Sequence, residues 1–362
     1  MIKEEYKNII AFHPGYYLND IIEDLEMSQE DFAKRLGTTA KTVSKLLNGQ
    51  TPLTNDLALK ASLMLGISME TLLNLQKKYD EKVLEIERQK RLDAQIEIIN
   101  QIDYSYFIKN NFLPAVSNVK QKIENLCAFL KVSDLTILKS PDLLASFRTS
   151  VQNVTDKNII NANVWLQTAI NMGYEAPVDQ YNEKKLKSYI PEIRSMTLQN
   201  PDLFLPRLKE IFKECGVAFV LLPALKNSGI NGVVKWYDEK VVLAINDRNT
   251  YADTFWFSLF HEIKHVLQRK KTKVIINDDV LSAVDEYLEN DANEFARATL
   301  IPPEKYYNYF RFLGKYISRE QILEFSRQIS IHPGIVVGRL QHDKRIPFTH
   351  FSDLREKYHI IV

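Results

Sequence analysis

The chain has 362 residues, 45% of them hydrophobic and 26% charged. That length predicts about two folded domains, and the composition excludes a disulfide-stapled miniprotein, a collagenous chain and a disordered one. With 47 Lys and Arg against 46 Asp and Glu the net charge is +1, so no global field draws the molecule to nucleic acid or an anionic membrane, and any DNA contact must come from a local patch. Cys127 and Cys215 are isolated, without CxxC or zinc-ribbon spacing, and are expected as buried thiols in a reducing cytoplasm. The opening residues lack the basic and then apolar layout of a secretion signal. The longest apolar stretch, Gly216 to Leu225, is too short to span a bilayer. A cytoplasmic protein with no membrane partner is the expectation.

Between Pro14 and Tyr79 five short helical patterns alternate with Gly and Ser/Thr punctuation: Tyr17 to Leu25, Gln29 to Leu36, Ala40 to Leu47, Asn55 to Leu65 and Met69 to Gln76. Ser28 and Ser68 stand where N-caps belong, and Gly37, Gly49 and Gly66 where helices end. From Asp80 to Gln101 there is neither Gly nor Pro, and Val83, Ile86, Leu92, Ile96 and Ile99 form one apolar stripe, the mark of a connecting helix. Residues 102 to 215 read as mostly helical, with breaks at Pro114, Pro141, Gly173 to Pro177 and Pro201. The period then changes. GVAFVLLPAL and KVVLAIND predict strands or a hairpin ahead of a helix from Asp253 to Arg269.

The stretch MSQEDFAKRLGTTAKTVSKLLNGQTPLT has the layout of a helix-turn-helix. Phe32, Ala33 and Leu36 point inward from one helix, Gly37 turns the chain, and Val43, Leu46 and Leu47 point inward from the next. The outer face of the second helix then offers Thr39, Lys41, Thr42, Ser44, Lys45 and Asn48, short polar and basic groups able to reach phosphates and base edges. Periodicity alone also fits a helical bundle whose exposed face is Ser/Thr/Lys. His13 to Asp80 nevertheless resembles the HigA branch of the Xre/Cro-C1 repressors, through His13-Pro14-Gly15, the Ser28-Gln29 helix start, Ser44 to Gly49, and Leu75-Gln76 followed by Tyr79-Asp80. The resemblance implies that Ser28 and Gln29 approach the DNA backbone and that Ala40 to Ser44 face bases. It also implies a homodimer on a double-stranded operator. Ala40 stands where many relatives carry a polar base reader, which shifts readout to Lys41, Thr42, Lys45 and an Ala40 contact with a thymine methyl.

The second constellation is His261-Glu262-Ile263-Lys264-His265. Histidines four apart share a helical face and can chelate one Zn2+, with the intervening glutamate placed to take a proton from water. A third ligand is required, and AVDEYLENDANEFARATLIPPE offers Asp285, Glu286, Glu289, Asp291 and Glu294. Tyr287 to Ala296, followed by Leu300-Ile301-Pro302, resembles the ImmA/IrrE metallopeptidases, in which the acid thirteen residues before that proline is the ligand; here it is Glu289. Glu289, Ala292, Asn293 and Ala296 share a face, whereas Asp291 points elsewhere and is the fallback ligand. The resemblance extends over residues 145 to 358, including Asn231-Gly232, the VVLAINDR strand and the run from Ile331 to Gln341. Lys264 replaces a glycine common among relatives and is expected to crowd the groove. His332, beside Pro333-Gly334, is expected to cap or pack rather than to act chemically.

The expected fold is mainly α with a small β component: a five-helix domain over 1–80, a helical linker over 81–144, and an α+β zincin-like domain over 145–362. The two resemblances imply a transcriptional regulator with a zinc endopeptidase-like domain that cleaves a protein partner or itself, Glu262 serving as catalytic base. The alternative is a HigA-like antitoxin that represses its own operon, binds a cognate toxin, and uses the metal domain without proteolysis. A third and weaker reading is a DNA-binding sensor in which metal changes dimer geometry.

Overall fold

The computed structural model describes residues 2–140, 155–237, 239–246, 251–269, 278–313 and 316–358, with the backbone alone at 278–285. Pro141, Asp247, Arg248 and His359 lie outside the described residues, and Asp285 is described by its backbone only. The fold is mainly helical with two small sheets. The chain divides into two compact units, Met1–Glu97 and Ile98–Val362.

The first unit opens with an antiparallel hairpin, β1 (Lys3–Tyr6) and β2 (Ile9–Phe12), with Tyr6 opposite Ile9. Five helices follow: α1 (Pro14–Asp24), α2 (Gln29–Arg35), α3 (Ala40–Leu47), α4 (Asn55–Leu65) and α5 (Met69–Ile99). Ser28, Thr39 and Thr54 each accept the amide three residues on, which satisfies an otherwise orphaned donor at the start of a helix. Gly37, Gly49 and Gly66 all adopt the left-handed backbone that ends the preceding helix. Phe32, Ala33, Leu36, Val43, Leu46 and Leu47 are buried together with Leu18 and Ile22. Gly15 lets α1 lie directly on α3, since a Cβ there would fall on the Leu46 carbonyl.

Two features depart from the sequence expectation. The fifth helix and the connecting helix are one, because nothing between Met69 and Ile99 breaks a helix. The hairpin is the second. Its strands are only four residues long, and Lys3, Glu4 and Glu5 in β1 and Ile9, Ile10 and Ala11 in β2 give no polar–apolar alternation in the sequence. Long-range polar contacts hold it instead: Tyr6 donates to Asp93 at 2.7 Å, Lys7 pairs with Asp93, and Tyr79 donates to Glu4.

The second unit begins with α6 (Tyr104–Lys109), α7 (Val119–Leu130), α8 (Asp156–Glu175), α9 (Glu183–Ser195) and α10 (Pro201–Glu214). A three-stranded sheet follows, made of β3 (Val217–Leu222), β4 (Gly232–Tyr237) and β5 (Lys240–Asn246) in the order β3-β5-β4. Helices α11 (Ala252–Gln268), α12 (Asp278–Leu300), α13 (Pro303–Phe310), α14 (Arg319–Gln328) and α15 (Pro333–His342) complete it.

The two apolar strands read from the sequence do form, but β3 and β5 pair in parallel, Val217 opposite Val241. The hairpin partner of β5 is β4, with Gly232 opposite Ile245; its Gly and Lys235 weaken the strand signal in the sequence. Both faces of β3 and β5 are covered, which accounts for their unbroken apolar runs. Val217, Leu221, Val241, Leu243 and Ile245 face α10 and α11, while α8 packs on the other face, close enough that a Cβ at Gly173 would collide with Val242. Cys215 is buried in this core, its thiol pushed up to about 11 by burial, and Cys127 is half-buried.

Gly15→Ala is expected to destabilise the first unit by about 1–3 kcal/mol through overpacking. Hydrogen exchange in sub-denaturing urea reads this as lost amide protection in α1 and α3, with α11 protection unchanged.

Candidate functional site

Helices α2 and α3 present the sequence-predicted DNA face in the helix-turn-helix arrangement. Ser28, Gln29, Thr39, Ala40, Lys41, Lys45 and Asn48 are exposed, and Thr42 and Ser44 half-buried. Part of this polar set also organises the helix itself. Thr39 Oγ1 accepts the Thr42 amide at 3.1 Å and meets Thr42 Oγ1 at 2.9 Å, and Asn48 Nδ2 donates to the Ser44 carbonyl. Lys41 and Lys45 stand one turn apart on α3 and supply its positive charge.

The second constellation lies between α11 and α12, which run antiparallel. Trp256, Leu259, Phe260, Ile263 and Val266 bury one side of α11, which leaves His261 and His265 on the side facing α12. On α12, Ala292 and Ala296 are fully buried against that interface, and Glu289 reaches both imidazoles. His261 Nε2 and His265 Nε2 are 2.9 Å apart, and the Glu289 oxygens lie 3.4 and 3.3 Å from them. Among the described residues this is the trio of His and carboxylate side chains able to hold a metal ion. The spacing fits such an ion: zinc–ligand bonds of about 2.0–2.2 Å in a tetrahedron put neighbouring donors about 3.3 Å apart.

Each imidazole is oriented through its other nitrogen. His261 Nδ1 meets Asn293 Oδ1 at 3.1 Å, and His265 Nδ1 meets Gln268 Oε1 at 2.8 Å. An amide oxygen at Nδ1 requires a proton there, so the Nε2 lone pair of each ring points into the trio. Gln268 is itself held by donating to the Leu288 carbonyl and to Asp291. Asp291 is therefore not in the trio; it pairs with Lys264 at 3.0 Å. Lys264 lies over the Phe295 ring, with its side chain 24% exposed, and so turns aside from the histidines.

Glu262 is buried, only 8% exposed, and its carboxylate rests on the backbone of β4: a Cβ at Gly232 would come within 2.6 Å of Oε1. Burial raises the Glu262 pKa against the pull of the two histidines. When protonated, His261 and His265 donate to Glu289 and hold its carboxyl well below the usual carboxylate range. Burial works against a charged His265, yet Glu289 and Glu262 outweigh it and its pKa is raised. Glu286 and Glu294 are exposed and lie outside the trio.

With this geometry in place, known proteins extend the description. Residues 18–72 match the helix-turn-helix family, and residues 219–329 match the IrrE N-terminal-like domain. The uncharacterized HTH-type transcriptional regulator YddM of Escherichia coli (strain K12) is 33% identical over 86 residues, which is 23% of this chain and 92% of that protein. The chain belongs to the helix-turn-helix regulators. Its second unit carries the IrrE N-terminal-like domain, in which the His/His/Glu trio lies. A crystal structure of a candidate antidote protein of a plasmid maintenance system from Nostoc punctiforme is 32% identical, covering 22% of this chain and 88% of that one, with a TM-score of 0.22.

Three residues around the regulator's His261, His265 and Glu289 trio carry no readable role in the sequence. Asn293 shows in the sequence only as a member of the Glu289 helix face, and Gln268 carries no motif at all. Gly232 has no role legible in the sequence; in the structure it leaves the space that Glu262 occupies. His332, as expected, caps α15 by accepting the Gly334 amide. Asn293→Ala and Gln268→Ala are each expected to weaken metal binding about 10–100-fold while the fold persists, as read by competition with a chromophoric chelator.

Proposed function

We propose that this regulator reads operator DNA with its first unit and that its second unit is a zinc endopeptidase acting on a protein partner or on its own chain. The observation that carries the enzymatic half is the convergence of His261, His265 and Glu289 beside the buried Glu262. Two imidazoles and one carboxylate are the ligand set of a catalytic rather than a structural zinc, because three protein ligands leave a position open. When bound, the ion supplies Lewis-acid polarisation of a carbonyl or water. Asn293 and Gln268 keep both imidazoles in the ligating tautomer. The Glu262 carboxylate takes the proton of an attacking water and returns it to the amine nitrogen as the peptide C–N bond breaks. Among the described residues β4 is an edge strand, and its main chain beside Glu262 suits an extended peptide added by backbone hydrogen bonds.

On the DNA side, α3 is the recognition helix. Lys41, Thr42, Lys45 and Ala40 face the major groove, Thr39, Ser44 and Asn48 flank them, and Ser28 and Gln29 meet the phosphate backbone. Exposed Leu59 and Leu63, one turn apart on α4, support a homodimer on half-sites about one helical turn apart. No described helix is long and apolar enough to cross a membrane. A DNA reader acts where the operator is, in the cytoplasm.

Elemental analysis is expected to find about one zinc per wild-type chain, lost in His265→Ala and in Glu289→Ala. Glu262→Gln is expected to keep the zinc and lose cleavage of the partner or linker; retained proteolysis would remove Glu262 from the mechanism. A folded wild type that takes up no zinc would leave the repressor and antitoxin roles standing without the peptidase. For the DNA face, Lys41→Ala with Lys45→Ala should weaken operator binding and lower the slope of log affinity against log salt by about 2, measured by anisotropy across a salt series.

A further inference from the structure

We propose that the cleft beside the metal trio is a substrate subsite for a peptide segment that sets a large apolar side chain next to a carboxylate. The inference rests on the endopeptidase reading and specifies its substrate class. Along the α11–α12 groove, Thr254, Phe257, His261 and His265 follow one another at helical spacing on one side, with Glu289, Asn293 and Arg297 on the other. Beyond the trio the groove widens into a cleft of about 350 Å³, closed on its far side by α15. Asn293 forms one wall of this cleft and also touches His261, and the Phe257 ring lies 6.3 Å from the His261 ring. A chain seated at the trio therefore extends straight into it.

The lining has two chemistries. Phe257, Leu300, Ile301 and Ile335 make an apolar wall of the size that takes a Leu or Phe side chain. The mouth is basic. Arg297 gives one guanidinium nitrogen to the exposed Glu294 at 2.7 Å, and its other terminal nitrogen lies 3.5 Å from His342 Nε2. The other charged lining groups are held within the protein. Asp253, the one carboxylate of the lining, is gripped by Arg355 through two hydrogen bonds of 3.1 and 2.9 Å and lies against Gly338. Arg339 is bound to Asp343 at 2.7 Å. The charge that a ligand meets at the mouth is thus that of Arg297, whose partner Glu294 is exposed and exchangeable. His342 Nδ1 meets Asp343 Oδ1 at 3.2 Å and its Nε2 faces the Arg297 guanidinium, so His342 positions Arg297. The complement of Arg297 is a carboxylate that accepts charge-assisted hydrogen bonds. An Asp or Glu side chain following the apolar residue and the C-terminal carboxylate of a protein share this chemistry.

The test uses full-length, zinc-supplied Glu262→Gln protein and fluorescence anisotropy with three short labelled peptides. One carries internal Leu-Glu with an amidated end, one Leu-Gln with an amidated end, and one Leu-Gln ending in a free carboxylate beside a Leu. At least one carboxylate peptide is expected to bind about tenfold tighter than the amidated Leu-Gln peptide, and whichever wins identifies the source. Arg297→Gln, and His342→Leu, which removes the acceptor beside Arg297, should each reduce that preference below about threefold and leave amidated Leu-Gln binding unchanged. The exposed His342 keeps the test valid if Arg297→Gln fails to fold. Equal binding of all three peptides, binding of none, or a preference that survives both substitutions overturns the subsite. Binding is read in a hydrolytically disabled protein, so carboxylate-selective binding without wild-type cleavage refutes the peptidase reading alone. Cleavage indifferent to the carboxylate refutes the subsite alone.

Discussion

One carboxylate has to reach two imidazoles carried by a different helix, and the second unit is organised around that demand. Glu289 touches both rings only because α11 and α12 lie close together, and the fully buried Ala292 and Ala296 permit the approach. Neither helix is free to drift. The C-terminus of α12 is clamped by Arg194, which donates to the carbonyls of Thr299 and Leu300 and, from the same guanidinium, to those of Ile329 and Ser330 after α14. The N-terminal half of α11 is tied down by the Trp256–Tyr358 hydrogen bond and the Asp253–Arg355 pair. The placement of the three donor atoms thus rests on contacts far from them.

The same helix has to bury a carboxylate that is not a ligand. Desolvating Glu262 works against its charged form, and the remaining residues of that turn offset the cost by burying large apolar side chains, each contributing about 1.5–3 kcal/mol. Gly232 matters for the same reason. Any side chain on β4 at that point would displace the Glu262 carboxylate, so a position that weakens the strand is the one that lets acid, trio and strand edge meet. Lys264, expected from the sequence to crowd the groove, is instead drawn to Asp291 and thereby helps to hold Gln268 behind His265.

A single local device recurs in both units. His13-Pro14-Gly15 and His332-Pro333-Gly334 each start a helix with the histidine Nδ1 accepting the glycine amide, at 3.0 and 3.1 Å, and the proline in the first turn. In both, the glycine admits a backbone that a Cβ would repel: the Leu46 carbonyl in the first unit, Leu354 and Arg355 in the second. Burial lowers the pKa of both imidazoles, which favours the neutral form that the acceptor role requires. These histidines are spent on helix starts and lie outside the His261, His265 and Glu289 trio.

Much of this was legible in the residues alone, because it depends on spacing along one helix. Ser and Thr caps, left-handed glycines, the inward set Phe32, Ala33, Val43, Leu46 and Leu47, and the facing pair His261 and His265 all follow from helical geometry over a few residues. Glu289 could be chosen among five acids only through resemblance, since periodicity restricts a helix face but not which helix it meets. Contacts between distant segments were not legible. The parallel pairing of β3 with β5, the entry of β4 at the edge, and the β1–β2 hairpin held by Asp93 and Glu4 all depend on partners tens of residues away. Gln268 and Asn293 were invisible as supports for the same reason: an amide reveals its role only when an imidazole stands in front of it. The sequence by itself determined the helices, their caps and the chemistry each could carry. Only the tertiary structure decided which faces meet, because close approach depends on small residues and clamps whose effect exists only once the helices are packed.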